Sequence, residues 1–353
     1  MRKLASIKKI DDILPIDGAD RIELVVIRGW QCIVNKGQYQ IGDKIIFCEI
    51  DSFLPIKEEY KFLRTSSYRN SPLLGEGFRI KSMRMKGKLS QGLVLPLSSL
   101  EQTDYDDEEY TIDDDVTEFL GICKWEVPEH NALTGNAKGV IPHYINKTDQ
   151  ERIQNIIQYI KKLPASLEFG ITEKLDGSSM TVFFKDNNEN GVCSRNNNLK
   201  IGEENKDNAF VSTVLRDGWL ETLEEYGKAI AVQGELIGPK IQGNSYQLSR
   251  LEFYVFDIWL IDDRRYATLH EVDIILDELK QLNNKLIINR VPLLSIEHLP
   301  TDINTILKMA EGKSILNNKT EREGIVFKST SLIDEQVFSF KSISNKFLLK
   351  ERD

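Results

Sequence analysis

The sequence predicts two domains, a small all-β barrel followed by an α+β domain. Three observations carry that reading. The 353 residues are 41% hydrophobic, which is enough apolar matter for two cores. In the first hundred residues, short β-rich runs recur between glycine turns. Beyond residue 142, apolar residues at helical spacing mix with strand-like runs, without a regular β-α-β alternation.

Strands are expected over 21–27, 30–34, 44–50, 79–85 and 92–96, punctuated by Gly29, Gly37, Gly42, Gly87 and Gly92. Residues 101–118 hold ten acidic side chains, no basic one and few apolar ones, and read as a solvated loop. Residues 128–142 are rich in Pro, Gly and Asn and read as a linker between a first domain over 1–127 and a second over 143–353. Thr148 and Glu151 have the spacing of a capping box, ahead of Ile153, Ile156, Ile157, Ile160 and Leu163; Pro164 ends that pattern. Thr268 and Glu271 repeat the signature before Val272, Ile275, Leu276, Leu279 and Leu282. A third helix is expected near Ile303, Ile306, Leu307 and Ala310. Strand-like runs at 180–184, 231–236, 253–260 and 324–328 lie among these helices.

The net charge of −9 conceals an asymmetry. The first hundred residues carry 17 basic and 11 acidic side chains, a net of +6. Local field decides what a surface attracts, so the first domain suits a polyanion although the chain is acidic. No run approaches the roughly 18 apolar residues of a membrane span. The basic N-terminus is followed by no apolar block, which argues against a secretory signal. Four scattered cysteines form no C-x-x-C, and the four histidines have no metal-ligand spacing. A reducing, cytoplasmic setting fits this usage. Nothing in the sequence calls for a membrane or an obligatory protein partner.

The chemistry concentrates around Lys174-Leu175-Asp176-Gly177, preceded by Thr172-Glu173 and followed by a strand. Taken alone, K-x-D-G reads as a surface turn with a solvated lysine. A nucleophilic lysine needs more, because a protonated amine with a reference pKa of about 10.4 does not attack. Carboxylates able to hold a metal ion would supply it, and Glu235 and Glu323 stand at strand ends further on. Ser194-Arg195-Asn196, Phe253 and Phe256, Lys341 and Lys346 complete the set. Each has a bland explanation by itself: a solvated carboxylate, a core aromatic, a surface cation.

Jointly, in this order, they resemble the covalent nucleotidyltransferases, namely ATP-dependent DNA and RNA ligases and mRNA capping enzymes. The form Glu173-Lys174-Leu175-Asp176-Gly177-Ser178-Ser179 is most similar to RNA ligases, and the resemblance covers nearly all of 165–350. The stretches 15–23, 42–43, 49–55 and 115–122 resemble the OB module that precedes the catalytic domain in the nick-sealing branch of RNA ligases. The resemblance implies a fold, an OB barrel followed by an α+β nucleotidyltransferase domain with antiparallel sheets. It also implies roles. Lys174 would attack the α-phosphorus of ATP and carry AMP; Asp176, Glu235 and Glu323 would position Mg2+ or Mn2+, directly or through water. Glu173 would sit beside the adenine, Phe256 would stack on it, and Arg195 would reach the ribose or its phosphate. Lys341 would neutralise the α-phosphate. Thr172, Leu175, Ser194, Asn196 and Val326 would belong to the same ATP site. Related RNA ligases place K-x-K in the last motif; here Ile343 stands two places after Lys341, and Lys346 is the substitute.

The implied substrate is RNA with 3′-OH and 5′-phosphate ends, a nicked duplex above all. Arg79, Lys81, Arg84, Lys86 and Lys88 put five bases in ten residues, with residues 79 and 81 on one strand face, as a phosphate-binding surface requires. Two other readings compete: a DNA ligase or capping-type guanylyltransferase, and a non-catalytic nucleic-acid-binding protein on a ligase fold. The first would carry its OB module after the catalytic domain. The second is opposed by the intact set Lys174, Asp176, Glu235 and Glu323.

Overall fold

The computed structural model describes residues 3–101, 110–125 and 136–350. It divides into two compact units, Met1–Pro128 and Glu129–Asp353.

Among the described residues the first unit is β apart from three short helical segments, Glu58–Leu63, Arg64–Ser67 and Leu97–Leu100. Its strands are β1 (Ala5–Lys9), β2 (Asp12–Pro15), β3 (Ile22–Ile27), β4 (Trp30–Asn35), β5 (Lys44–Cys48), β6 (Ser52–Pro55), β7 (Tyr68–Ser71), β8 (Gly75–Arg79), β9 (Ser82–Met85), β10 (Lys88–Gln91), β11 (Leu93–Leu95) and β12 (Cys123–Lys124). They pair antiparallel in the orders β1-β5-β11, β2-β3-β4, β12-β6-β8-β7 and β10-β9. Two apolar clusters fill the interior, one around Ile46, Leu54, Phe78 and Val116, the other around Val25, Trp30 and Phe47. The 79–85 run breaks at Ile80 and Lys81 into two strands belonging to different sheets. Arg79 and Lys81 therefore do not share a strand face. Lys86 and Gly87, with φ of 49° and 76°, close the β9–β10 hairpin in the left-handed conformation that matches strand twist.

The acidic stretch is not a solvated loop where it is described. The Ile7 N–H donates to the Asp114 carbonyl at 3.0 Å and the Val116 N–H to Ala5 at 3.0 Å. Val116 and Leu120 are fully buried. Asp113 accepts both Arg28 nitrogens at 2.6 and 2.7 Å and also pairs with Lys8. Asp113 thus neutralises two of the barrel's own cations, while residues 102–109 lie outside the described residues. Burial works against the Asp113 charge, but the bonds from Arg28 and Lys8 outweigh it and hold the carboxyl below its usual range. Asp113→Asn is expected to cost about 1 kcal/mol, allowing for the partial exposure of the pair. A depressed carboxyl contributes fully at neutral pH and loses its contribution as pH falls through the lowered value. Urea titrations of both proteins should show the gap at neutral pH and its closure in acid; a gap that persists in acid contradicts this assignment.

The second unit is built on two sheets. Its strands are β13 (Ala137–Val140), β14 (Glu151–Arg152), β15 (Glu168–Lys174), β16 (Ser178–Asp186), β17 (Glu189–Cys193), β18 (Asn197–Leu199), β19 (Ile230–Ile237), β20 (Glu252–Leu260), β21 (Arg265–Tyr266), β22 (Asn289–Arg290), β23 (Leu293–His298), β24 (Gly324–Ser329) and β25 (Ser339–Ile343). One sheet runs β13-β18-β17-β16-β19-β20-β21, with β22 also on β20; the other runs β14-β25-β24-β15-β23. Pairing is antiparallel except at β14–β25 and β20–β22. Strand β13 lies inside the stretch read as a linker; it pairs with β18, so residues 137–140 belong to the catalytic unit's sheet.

Helix Leu269–Leu282 begins with the expected Thr268–Glu271 capping box. The Thr148–Glu151 box does not form. Glu151 and Arg152 are drawn into a parallel bridge with Phe340 and Lys341, and the helix starts later, at Ile153, with no side-chain cap. Its Ile153, Ile157 and Ile160 still face the core, against Phe169, Phe327 and Phe340. Ladder bonds along a sheet edge outweigh the roughly 1 kcal/mol of a cap. Helix Ile303–Met309 is where the spacing predicts it.

Candidate active site

The K-x-D-G turn joins the two sheets. Lys174 ends β15 in one sheet, and Ser178 begins β16 in the other. Gly177 is required there: a Cβ would stand 2.5 Å from the Leu236 carbonyl and 2.9 Å from Glu235 Cγ. The turn therefore lies directly against the strand that carries Glu235.

Side chains alternate across a strand, and here one face of each sheet lines a single pocket of about 430 Å³. Thr172 and Lys174 on β15, Val326 and Lys328 on β24, and Lys341 on β25 come from one sheet. Ser179 and Thr181 on β16, with Gln233 and Glu235 on β19, come from the other. The intervening Met180, Val182, Val232 and Leu236 go to the core. Phe256 reaches the pocket through a β-bulge: Gln233 opposes Asp257 and Gly234 opposes Val255, leaving Phe256 as the extra residue.

Lys174 Nζ donates to Glu323 Oε2 at 2.6 Å, with 26% of its side chain exposed. Burial alone would push this amine down. Glu323, Glu235 and Asp176 outweigh burial and hold it above the usual lysine range. Glu235 is raised to about 8, chiefly by burial; Lys174 works against the rise, and Glu323 and Asp176 add to it. Lys341 goes the other way, down to about 8, because it is buried beside Lys174 and Arg152. Among the described residues, no three Asp, Glu, His or Cys groups close directly around one ion position. The lysine ammonium instead stands among the three carboxylates.

Most expected residues line this pocket: Thr172, Glu173, Lys174, Leu175, Asp176, Ser194, Arg195, Glu235, Phe256, Glu323, Val326 and Lys341. Two do not. Asn196 lies outside the lining, where its side chain accepts from Lys147 Nζ at 2.9 Å. Lys346 rides the helix that follows β25, is 59% exposed and pairs with Glu311 at 2.8 Å. A further amine that enters the pocket is Lys328, two places after Val326 on β24, which K-x-K spacing did not single out. Lys328 is 3% exposed, pairs with Asp257 at 2.6 Å, donates to the Phe256 carbonyl and lies 5.7 Å from the Phe256 ring centre. Glu173 is 1% exposed and its Oε2 accepts the Ile315 N–H at 2.8 Å. Arg195 pairs at 2.7 Å with Asp149, another pocket residue that sequence reasoning missed.

In the first unit, Arg84, Lys86 and Lys88 stand exposed on the β9–β10 hairpin, with Met85 41% exposed between them. Arg79 is occupied elsewhere: it pairs with Asp51 at 3.2 Å and lies over the Trp125 ring at 5.3 Å. Lys81 is half-buried beyond the end of β8. No helix among the described residues is long and apolar enough to cross a membrane.

Comparison with known proteins gives this geometry its relatives. An RNA ligase family model matches residues 167–343, and an OB-fold domain model matches residues 4–97. A search of curated proteins returned no match. Among solved structures the chain is similar to Naegleria gruberi RNA ligase. A mutant of that ligase with ATP and Mn has a TM-score of 0.87 and 38% identity, covering 99% of both chains. The same ligase with PPi gives a TM-score of 0.85 and 40% identity, again over 99% of both chains. A further mutant with AMP and Mn gives 0.87 and 38%, with 99% of each chain covered. The first unit is an OB fold and the second a ligase domain with antiparallel sheets, and the family match runs through Lys174, Glu235 and Glu323: this chain belongs to the RNA ligase family.

Proposed function

We propose that this protein seals 3′-OH/5′-phosphate breaks in RNA at the expense of ATP, nicks in duplex RNA or RNA-containing hybrids foremost, through lysyl–AMP and RNA-adenylate intermediates. One observation carries the reading: a lysine amine 2.6 Å from Glu323, between two sheets, in a pocket that also holds Phe256 and Lys341. The complexes of the Naegleria ligase with ATP, AMP, PPi and Mn support it.

In the first step Lys174 Nζ forms a bond to the α-phosphorus, the bond to the bridging oxygen of the β-phosphate breaks, and pyrophosphate leaves with that electron pair. Before attack the ammonium gives up a proton, and Glu323 is the carboxylate within reach. Lys341 and Lys328 supply positive charge on the pocket face opposite Glu235, where negative charge builds on the phosphate. Phe256 offers its ring to the base, and Glu173 Oε1, buried without a hydrogen-bond partner, offers an acceptor in the pocket wall. Asp176, Glu235 and Glu323 are all oxygen donors, the set that suits Mg2+ or Mn2+ held through water. When bound, that ion favours the neutral amine and stabilises the phosphate charge. AMP then passes to the RNA 5′-phosphate, and the 3′-hydroxyl displaces it.

The hairpin bearing Arg84, Lys86 and Lys88 is the RNA-binding face, holding backbone phosphates by charge. Reversing Arg84 and Lys86 to Glu is expected to weaken RNA binding about tenfold or more at low salt while sparing lysine adenylylation. Unchanged RNA binding in a filter assay removes this face from the proposal.

The deciding experiment is one gel. The protein is incubated with Mg2+ or Mn2+ and α-labelled ATP, with GTP in parallel, then chased with nicked RNA duplex or nicked DNA. Label from ATP alone that moves to RNA is the expected result. Label from GTP assigns capping chemistry, transfer to DNA alone assigns a DNA ligase, and no label leaves a binding protein on a ligase fold.

A further inference from the structure

The K-x-D-G turn is held from behind by a loop with none of the expected chemistry. Tyr246 is 5% exposed and packs with Leu175, Ile237 and Val291. Its hydroxyl accepts the Asp176 N–H at 2.7 Å. That amide lies in the gap between β15 and β16, outside both ladders. Tyr246 does not line the pocket, so it acts on the pocket only through the turn.

The loop that carries Tyr246 is strained. Lys240, Gln242, Asn244 and Gln247 have φ of 68°, 41°, 50° and 58°. Such left-handed conformations cost a non-glycine residue on the order of 1 kcal/mol each and persist only where the surroundings impose them. Here the surroundings are explicit. Asn317 Nδ2 and Thr320 Oγ1 both donate to the Ser245 carbonyl, at 3.1 and 2.9 Å. The Asn244 amide brackets Leu248, donating to its carbonyl and accepting its N–H, both at 3.0 Å. The segment that supplies Asn317 and Thr320 is itself tied to Glu173 through the Ile315 N–H. The chain is therefore fixed on both sides of the nucleophile, at Glu173 by one loop and at Asp176 by the other, and the two loops hold each other.

We propose that Tyr246 is a positioning residue for lysine adenylylation: by accepting the Asp176 N–H it fixes the turn that aims Lys174 Nζ and the Asp176 carboxylate. The proposal rests on the adenylylation reading above. Aim matters because misplacement by about 1 Å can cost a hundredfold in rate.

Tyr246→Phe removes only the hydroxyl and tests this. The single-turnover rate of label transfer from α-labelled ATP to protein is expected to fall about tenfold, with ATP affinity changed less than about twofold. Sealing of pre-adenylated RNA, which bypasses the lysine nucleophile, is expected to fall less. Tyr226→Phe, which breaks a phenol–carboxylate bond to Glu278 outside the pocket lining, is expected to label at the wild-type rate. Thermal melting checks that each variant is folded. Should Tyr246→Phe fail to fold, Thr320→Val removes one of the two hydrogen bonds that hold the same loop at Ser245 and is expected to slow labelling in the same sense. Wild-type labelling by a folded Tyr246→Phe variant overturns the proposal, as does a loss explained wholly by weaker ATP binding. No label on the wild-type protein overturns the adenylylation reading instead, and is told apart because it precedes any variant.

Discussion

Lys174→Ala is expected to carry no covalent AMP under any metal or pH, while still binding ATP. The reasoning is geometric. Lys174 is the amine that reaches Glu323 at 2.6 Å, with Glu235 and Asp176 close enough to bias its charge. Lys341 and Lys328 face the same pocket, but neither is paired with Glu323. Lys328 is locked into its pair with Asp257, and Lys341 is set back on β25, opposite Val326. Wild-type labelling should also depend on pH. Because only the neutral amine attacks, the labelling rate rises as pH rises. Mass spectrometry of the trypsin-digested adduct checks the position. AMP on a peptide lacking Lys174, or label retained by Lys174→Ala, would remove Lys174 from this role.

How much of this site was legible in the sequence depends on what kind of signal each residue gives. Lys174, Asp176 and Gly177 stand in one short motif, and Glu235 and Glu323 stand as lone carboxylates at the ends of apolar strands. Both are visible by type and spacing. Lys328, Gln233 and Thr181 are not, because each is a single polar residue inside an otherwise apolar run. Thr181 and Gln233 obey one rule that Lys328, two places after Val326, does not: a polar residue at every second position of a central strand, as in Thr172 and Lys174, Ser179 and Thr181, Gln233 and Glu235. A strand buried on both faces has no reason to alternate unless one face meets a polar cavity. That pattern was the available signal. Lys346 misled because distance along the chain does not reveal that β25 stops at Ile343 and a helix carries the next lysine away. Tyr246 gave no signal, since an isolated tyrosine in a largely polar loop looks like any other. The acidic stretch misled for another reason: its charge was read as solvation, whereas Asp113 is matched by Arg28 and Lys8 from strands far away in sequence.

Lys328→Met is expected to be the most destabilising of these single changes. Lys328 and Asp257 are 3% and 5% exposed, with N and O 2.6 Å apart. Burial pushes the Lys328 amine down and the Asp257 carboxyl up, and each charge survives because the other is present. Removing one partner of such a pair leaves a buried charge and costs about 3–5 kcal/mol, whereas replacing both by apolar groups of similar volume is often neutral. Asp257 therefore makes the effect pH-dependent in a defined direction. Without Lys328 its folded-state value rises further above the unfolded one, so folding favours the protonated acid. The deficit is largest at neutral pH and shrinks as pH falls through that raised value toward the unfolded range, because the buried acid is then neutral. Lys328→Met combined with Asp257→Leu should recover most of the lost stability at neutral pH and none of the adenylylation, since the pocket has lost a cation beside Phe256. Urea unfolding of the three proteins at neutral and mildly acidic pH checks this. A single variant that loses less than about 1 kcal/mol, or a deficit that grows on acidification, would mean that the pair is not held as a buried, mutually dependent ion pair.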